Sequence, residues 1–181
     1  MVVRGKPAIY YRKIRYPRIE LKTGELRLIL PYGTSAHEII KKHYAWISRK
    51  EKLIRKHLRA SNNRKIINRS NNEFRNLIPK TANVFSKELN VKINNIYYRK
   101  MRTKWASCSS KQNLTINTMM RHLPKRQIEY ILYHELVHMI EKKHNDRFWE
   151  CISKKFKNHR KMEMSLFSYW FLLNSSKIAG I

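Results

Sequence analysis

Three histidines and one glutamate follow one another with the spacing of a metal site. His134-Glu135-Leu136-Val137-His138 places two histidines four residues apart, and His144 follows six residues later. Residues four apart on a helix lie on the same face, so two imidazoles there can bind one zinc ion. The carboxylate of Glu135 can reach a water on that ion, as in metalloproteases that use a glutamate as general base. These residues predict Zn²⁺ bound by His134, His138 and His144, with Glu135 as the catalytic base.

The third ligand requires the metal-binding helix to end early. If the helix continued past Met139, His144 would be rotated away from the ligand face. Asn145-Asp146 precedes an apolar pair and predicts an N-cap for a new helix, which leaves His144 on the connecting turn. A buried helix with incidental histidines is the competing interpretation, and the third histidine argues against it. The apolar residues of the metal helix have helical spacing and predict burial: Ile128, Ile131, Leu132, Leu136, Val137 and Ile140.

Four stretches of the chain resemble the YgjP-like metallopeptidase family. They are Trp-Ala-Ser-Cys-Ser at 105–109, residues 113–117, the pentapeptide 134–138, and His-Asn-Asp-Arg-Phe-Trp at 144–149. The resemblance extends from about residue 19 to residue 156. It implies zinc as the metal and a fold similar to the core of SprT-like and other zincin proteases. The expected class is therefore α+β, with a zincin-like core in which the HExxH helix packs on a small sheet.

The resemblance also implies a substrate and a mechanism. The expected reaction is hydrolysis of a polypeptide by a zinc-activated water, with Glu135 as general base. In zincin proteases a strand beside the metal helix pairs with extended substrate through its free edge. The resemblance assigns that role to a run of five residues: Asn113, Leu114, Thr115, Ile116 and Asn117.

Two other functions remain open from the residues. The same water can attack a nucleotide phosphate held by basic side chains, so a metal-dependent UTP pyrophosphatase is the alternative enzyme. A nucleic-acid-binding protein with a structural zinc is the third interpretation. Assays of UTP and casein side by side, with Glu135→Ala as the control, distinguish the two enzymes. Full function that survives Glu135→Ala would favour the structural-zinc protein.

The charge of the chain is strongly positive. Forty Lys and Arg face twelve Asp and Glu, for a formal net charge of +28. Twenty of the basic residues lie in 1–75 and twenty in 76–181, so no basic tail accounts for the charge. Such a chain is attracted to polyanions, and DNA or RNA that recruits the enzyme to bound proteins is one expected partner. The alternative is a merely cationic surface that arose through Lys-rich composition.

The remaining composition predicts a cytoplasmic protein without a membrane segment. Two cysteines are too few for a disulfide framework, and no signal-peptide pattern precedes Arg4. The longest apolar run, 166–173, is interrupted by Ser168 and is too short to span a bilayer. Three histidines, His37, His43 and His57, have no partner at ligand spacing and are expected at the surface.

Periodicity and turn residues predict the elements around the site. We expect an N-terminal β-hairpin and long helix in 1–70, joined by an Asn-rich linker to a zincin-like core in 71–181. In the first part the expected strands are 9–11, 14–16, 19–21 and 26–30, with a turn at 22–25, followed by a helix over 36–59. In the second part we expect helices over 73–89, 147–156 and 162–173, strands over 91–101 and 114–117, and a turn at 105–110.

Overall fold

The structure is a computed structural model that describes residues 7–22, 25–61 and 64–174. The described chain contains six α-helices and two three-stranded sheets, which confirms the α+β class. The strands are β1 (Ala8–Tyr11), β2 (Arg18–Lys22), β3 (Glu25–Leu30), β4 (Ile96–Arg99), β5 (Ala106–Cys108) and β6 (Leu114–Asn117). The helices are α1 (Ala36–Lys42), α2 (Tyr44–Ser61), α3 (Asn71–Glu88), α4 (Lys125–Val137), α5 (Asp146–Lys155) and α6 (His159–Asn174), with a 3₁₀ helix at Thr118–His122.

The chain forms two compact units. Their boundaries lie after Arg64 and after Leu166, and the first and last segments belong to the same unit. The expected domain division near residue 70 stays a prediction. None of the helices in the described ranges is long and apolar enough to cross a membrane.

The first unit contains a three-stranded sheet in the order β1-β3-β2. The expected hairpin is confirmed, since β2 pairs antiparallel with β3, and β1 pairs parallel with the other edge of β3. Alternation along β3 buries Leu26, Leu28 and Leu30 against Ile47 of α2. The expected strand at 14–16 is wrong, because the Ile14 amide donates to the carbonyl of Arg12 and turns the backbone there. The tip of the expected turn, residues 23 and 24, lies outside the described residues.

The expected helix over 36–59 is divided into α1 and α2. His43 caps α1, donating its amide to the Ile39 carbonyl, and its own carbonyl accepts from the first turn of α2. His37 and His43 are exposed, as expected.

His57 does not lie at the surface as expected. It is 4% exposed, because it falls on the same face of α2 as the buried Ile47 and Ile54. Its Nδ1 lies 2.9 Å from the Ser168 hydroxyl, and its ring meets Phe167 edge-on. Burial, with smaller effects from Lys56 and Arg64, lowers the pKa of His57 below its usual value.

The second unit contains the sheet that adjoins the metal helix, in the order β4-β6-β5. β6 is the central strand, with β4 parallel on one side and β5 antiparallel on the other. α4 contacts both β5 and α3. The expected strand over 91–101 is shorter than predicted, and the expected turn at 105–110 is wrong, because three of its residues form β5.

α3 begins with a capping box that the sequence analysis did not identify. The Ser70 hydroxyl accepts the Glu73 amide, and the Glu73 carboxylate accepts the Ser70 amide. Pro79 lies inside α3 without ending it. The side chain of Val84 is 60% exposed, on the face of α3 away from the buried Phe74, Ile78 and Phe85.

Candidate metal centre

The end of α4 places two of the three histidines on one face. α4 ends at Val137, and His138 caps it with near-helical backbone angles, so His134 and His138 keep the one-turn spacing. The expected burial of the apolar face holds except at Ile140, which is 53% exposed because it lies beyond the end of the helix.

A short turn carries His144 back to the other two rings. The amides of Met139 and Ile140 bond to the carbonyls of Leu136 and Val137, which winds the chain tightly as it leaves the helix. α5 then begins after Asn145, whose side chain accepts the Phe148 amide at 3.1 Å. The expected N-cap and the position of His144 on the connecting turn are both confirmed.

The three imidazoles converge with a geometry that fits one cation. Each histidine offers a ring nitrogen within 4.8 Å of those of the other two. The Nε2 atoms of His134 and His144 lie 3.0 Å apart. Two ligands on a tetrahedral zinc ion lie about 3.3 Å apart when each Zn–N bond is about 2.0–2.1 Å. The observed separation therefore needs little adjustment to admit the ion.

Protonation and hydrogen bonding also fit a metal site. Burial, reinforced by His138 and His144, lowers the pKa of His134 to about 3, and burial lowers the pKa of His138. Both rings are therefore neutral at pH 7, which is the form that binds metal. The Nδ1 of His138 lies 3.1 Å from the Glu141 carbonyl, so Nδ1–H donates there and Nε2 is left to face the cation.

Phe148 forms the apolar floor of the cluster. It is fully buried, and its ring centroid lies 4.6–4.9 Å from those of His134, His138 and His144. Phe148 is therefore part of the packing beneath the three histidines. A single buried ring in contact with all three histidines keeps them together before any ion binds.

The carboxylate of Glu135 is hydrogen-bonded to β5, an outer strand of the sheet. Its Oε2 accepts the Cys108 amide at 3.0 Å. Burial raises the pKa of Glu135 to about 7, while the hydrogen bond from Cys108 and the charge of Lys104 act in the opposite direction. This contact is not predictable from the residues at 105–110, which read as a turn.

The strand assigned to substrate has no free edge. The carbonyl of Asn113 accepts the Ser109 amide and the amide of Asn117 donates to Trp105, both towards β5, while the amide of Leu114 donates to Asn95 on the β4 side. β6 is thus paired along both edges, which leaves no free edge for main-chain pairing of substrate with Asn113, Leu114, Thr115, Ile116 and Asn117. Leu114, Ile116 and Asn117 are also fully buried.

Asn117 has a structural role in this arrangement. Its side-chain amide donates to the carbonyls of Met101 at 2.9 Å and Lys104 at 2.7 Å, and its oxygen accepts the Met119 amide at 3.1 Å. It therefore holds the segment that leads into β5.

β5 is an edge strand of this sheet. The main-chain groups of Trp105, Ser107 and Ser109 face β6, so by alternation those of Ala106 and Cys108 face the opposite side. That is the side on which the Cys108 amide meets Glu135.

Two half-buried histidines one turn apart at the end of α4, a third histidine on the following turn and an adjacent glutamate define a metal-dependent hydrolase. The chain belongs to the YgjP-like metallopeptidase family, whose metallopeptidase domain matches residues 55–169. It is accordingly a metallohydrolase of the peptidase class that uses a divalent metal and acts on polypeptide.

Two solved structures show partial similarity. The metallopeptidase zymogen abylysin of Pyrococcus abyssi is 23% identical, with a TM-score of 0.43 over 48% of this chain and 87% of that one. The metallopeptidase zymogen jannalysin of Methanocaldococcus jannaschii is 28% identical, with a TM-score of 0.44 over 49% of this chain and 90% of that one. The comparison with curated proteins found no match.

Proposed function

We propose that this protein is a zinc peptidase in which His134, His138 and His144 bind the metal and Glu135 is the general base. The observation that supports it best is the convergence of three ring nitrogens within 4.8 Å of one another beside the half-buried carboxylate of Glu135. When bound, zinc supplies Lewis acidity, which makes a neighbouring water acidic and polarises the substrate carbonyl.

Glu135 performs the proton transfers. The Cys108 amide holds Oε2 at 3.0 Å, which fixes the carboxylate and leaves Oε1 as the oxygen that accepts a proton from the attacking water. The same oxygen then delivers that proton to the nitrogen of the leaving amine. Because the hydrogen bond comes from the main chain of β5, the base is positioned by the sheet as well as by its own helix.

Substrate binds along β5 in this proposal. The main-chain groups of Ala106 and the carbonyl of Cys108 face the open side of the strand and can pair with an extended peptide. A peptide placed there lies on the side of the sheet where Glu135 contacts Cys108. This replaces the strand suggested by the sequence, which has no unpaired edge.

Lys104 is the proposed donor to the oxyanion. Tyr130 and Tyr133 are buried, and the Tyr130 hydroxyl donates to Glu163. Lys104 is exposed, and its charge lowers the pKa of both Glu135 and His138, which supports an ammonium near both groups. A cation there stabilises the negative oxygen of the tetrahedral intermediate.

The proposal is tested by turnover of casein and of UTP with metal analysis of each variant. We expect Glu135→Gln to retain zinc and lose about 10²–10⁴-fold in peptide hydrolysis, and His138→Ala to lose both zinc and activity. Glu129→Gln is the matched control, because Glu129 lies on the same helix and its carboxylate pairs with Lys125 at 3.7 Å. Proteolysis that persists in a zinc-free His138→Ala protein would refute the proposal. UTP hydrolysis that requires Glu135, without peptide hydrolysis, would support the pyrophosphatase alternative.

We also propose recruitment of the enzyme by nucleic acid. It is supported by the net charge of +28 and by the surface around β1, where Tyr10 and Tyr11 are each 46% exposed and Arg15 stacks on Tyr16 at 5.2 Å. Exposed aromatic rings among cations suit stacked bases and phosphates. We expect binding to a DNA oligonucleotide that weakens steeply with salt. Binding that is absent at low salt would remove this part of the proposal and leave the peptidase intact.

A further inference from the structure

The three histidines are oriented by different means. His138 is fixed by the hydrogen bond from its Nδ1 to the Glu141 carbonyl. His144 is an exposed residue of the turn, and aromatic rings surround it. Trp149 stacks on it with ring centroids 5.6 Å apart and planes 25° apart, and Phe148 meets it edge-on at 4.6 Å. Stacking on Trp149 therefore orients the ring of His144, as the backbone hydrogen bond orients the ring of His138.

A second imidazole stacks on the same indole. His159, the first residue of α6, lies with its ring centroid 5.2 Å from that of Trp149 and its plane 22° away. The rings of His159, Trp149 and His144 thus form a continuous stacked series within the second unit. Its far end lies fifteen residues beyond the third metal ligand, on a different helix.

The position of the His159 ring is explained by stacking of its face rather than by hydrogen bonds of its nitrogens. Among the residues that the structure describes, its Nδ1 is buried and has no hydrogen-bond partner. A buried polar atom without a partner is unfavourable, so this position is not explained by hydrogen bonding. Contact of its flat face with the indole is the interaction that the described structure shows for this side chain.

We propose that His159 is a positioning residue for the metal, acting through Trp149 to orient His144. The inference rests on the proposed metal site. Without the ring of His159, the indole gains freedom, the imidazole of His144 samples orientations that do not face the cation, and part of the binding energy is spent on ordering it. One aromatic contact corresponds to about a 2- to 10-fold change in an equilibrium constant. Direct loss of the ring that supports a metal ligand typically costs about 10–100-fold in affinity.

The test measures zinc affinity of the full chain by competition with a chromophoric chelator. We expect His159→Ala to weaken binding about 2- to 10-fold and Trp149→Leu about 10–100-fold. His159→Phe keeps a flat ring and removes both nitrogens, so it should restore the affinity to within about twofold of the wild type. His43→Ala, at an exposed histidine of the first unit, is the matched control and should leave affinity unchanged.

The absorption spectrum of the Co²⁺-loaded protein distinguishes a role in ligand geometry from a role in folding alone. In the Co²⁺-loaded protein, the visible absorption bands report the ligand geometry, and we expect His159→Ala to alter them while His159→Phe keeps them. Circular dichroism of each metal-free variant shows whether it is folded. If His159→Ala does not fold, the zinc affinities and cobalt spectra of Trp149→Phe and His159→Phe are compared with those of the wild type instead. Equal zinc affinity and equal cobalt spectra in wild type and His159→Ala would overturn the inference and leave the proposed function standing. Absence of zinc binding by the wild type would instead overturn the proposed function.

Discussion

Replacement of Asn117 separates its structural role from a role in substrate binding. Asn117→Asp keeps the shape and the oxygen that accepts the Met119 amide, but it removes the two N–H groups that the carbonyls of Met101 and Lys104 accept. Each such bond contributes about 1 kcal/mol, and a buried carbonyl left without a donor adds about 1 kcal/mol or more. The side chain is fully buried, so water does not replace the lost donors. We expect a loss of about 3 kcal/mol in the free energy of unfolding at neutral pH.

Urea denaturation followed by circular dichroism measures this loss. For a chain of this size it corresponds to a fall of roughly 6–12 °C in melting temperature. Asn113→Asp is the control, because Asn113 accepts the Asn95 side chain through Oδ1 and an aspartate preserves that acceptor. It should stay within about 0.5 kcal/mol of the wild type. An Asn117→Asp protein of wild-type stability with a raised KM for peptide would show that this side chain contacts substrate, and the structural reasoning would fail.

Three further predictions address the metal, a buried histidine and a helix cap. Zinc at about 100 times its Kd should raise the free energy of unfolding by about 2.7 kcal/mol, measured by calorimetry, and the rise should be absent from His138→Ala. The pKa of His57 is lowered in the folded state, so the native protein binds fewer protons than the unfolded chain, and stability should fall as the pH drops below about 6.5. Urea titrations at several pH values should show a shallower fall in His57→Gln and an unchanged one in His37→Gln, and equal slopes would contradict the assignment. Ser70→Ala removes one half of the capping box and should cost about 1 kcal/mol in unfolding free energy, with no effect on zinc affinity.

The convergence of the three histidines was predictable because their geometry is local. The four-residue spacing fixes the relation of His134 to His138 on any helix, and the Asn145 cap fixes where the next helix begins. His144 follows from those two facts. Its stacking on Trp149, and that of Trp149 on His159, involve a third helix whose packing no short pattern specifies.

The strand order of the small sheet was not predictable in the same way. β6 reads correctly as a strand, but which strand lies in the middle depends on long-range pairing with residues 96–99 and 106–108. Trp105-Ala106-Ser107-Cys108 lacks alternating apolar residues and reads as a turn, yet β5 is the strand that bonds Glu135. The predicted exposure of His57 was wrong for a similar reason. Its burial depends on Phe167 and Ser168, which lie more than one hundred residues away in the sequence.

The third histidine lies outside both α4 and α5, on the passage between them. In the proposed site, an ion held by that passage and by α4 would cross-link the two and close a short loop of backbone, much as a disulfide does. Loss of the metal would then remove the catalytic ion and this cross-link together, so the metal-free protein should be cut within 139–144 more readily than the zinc-loaded protein.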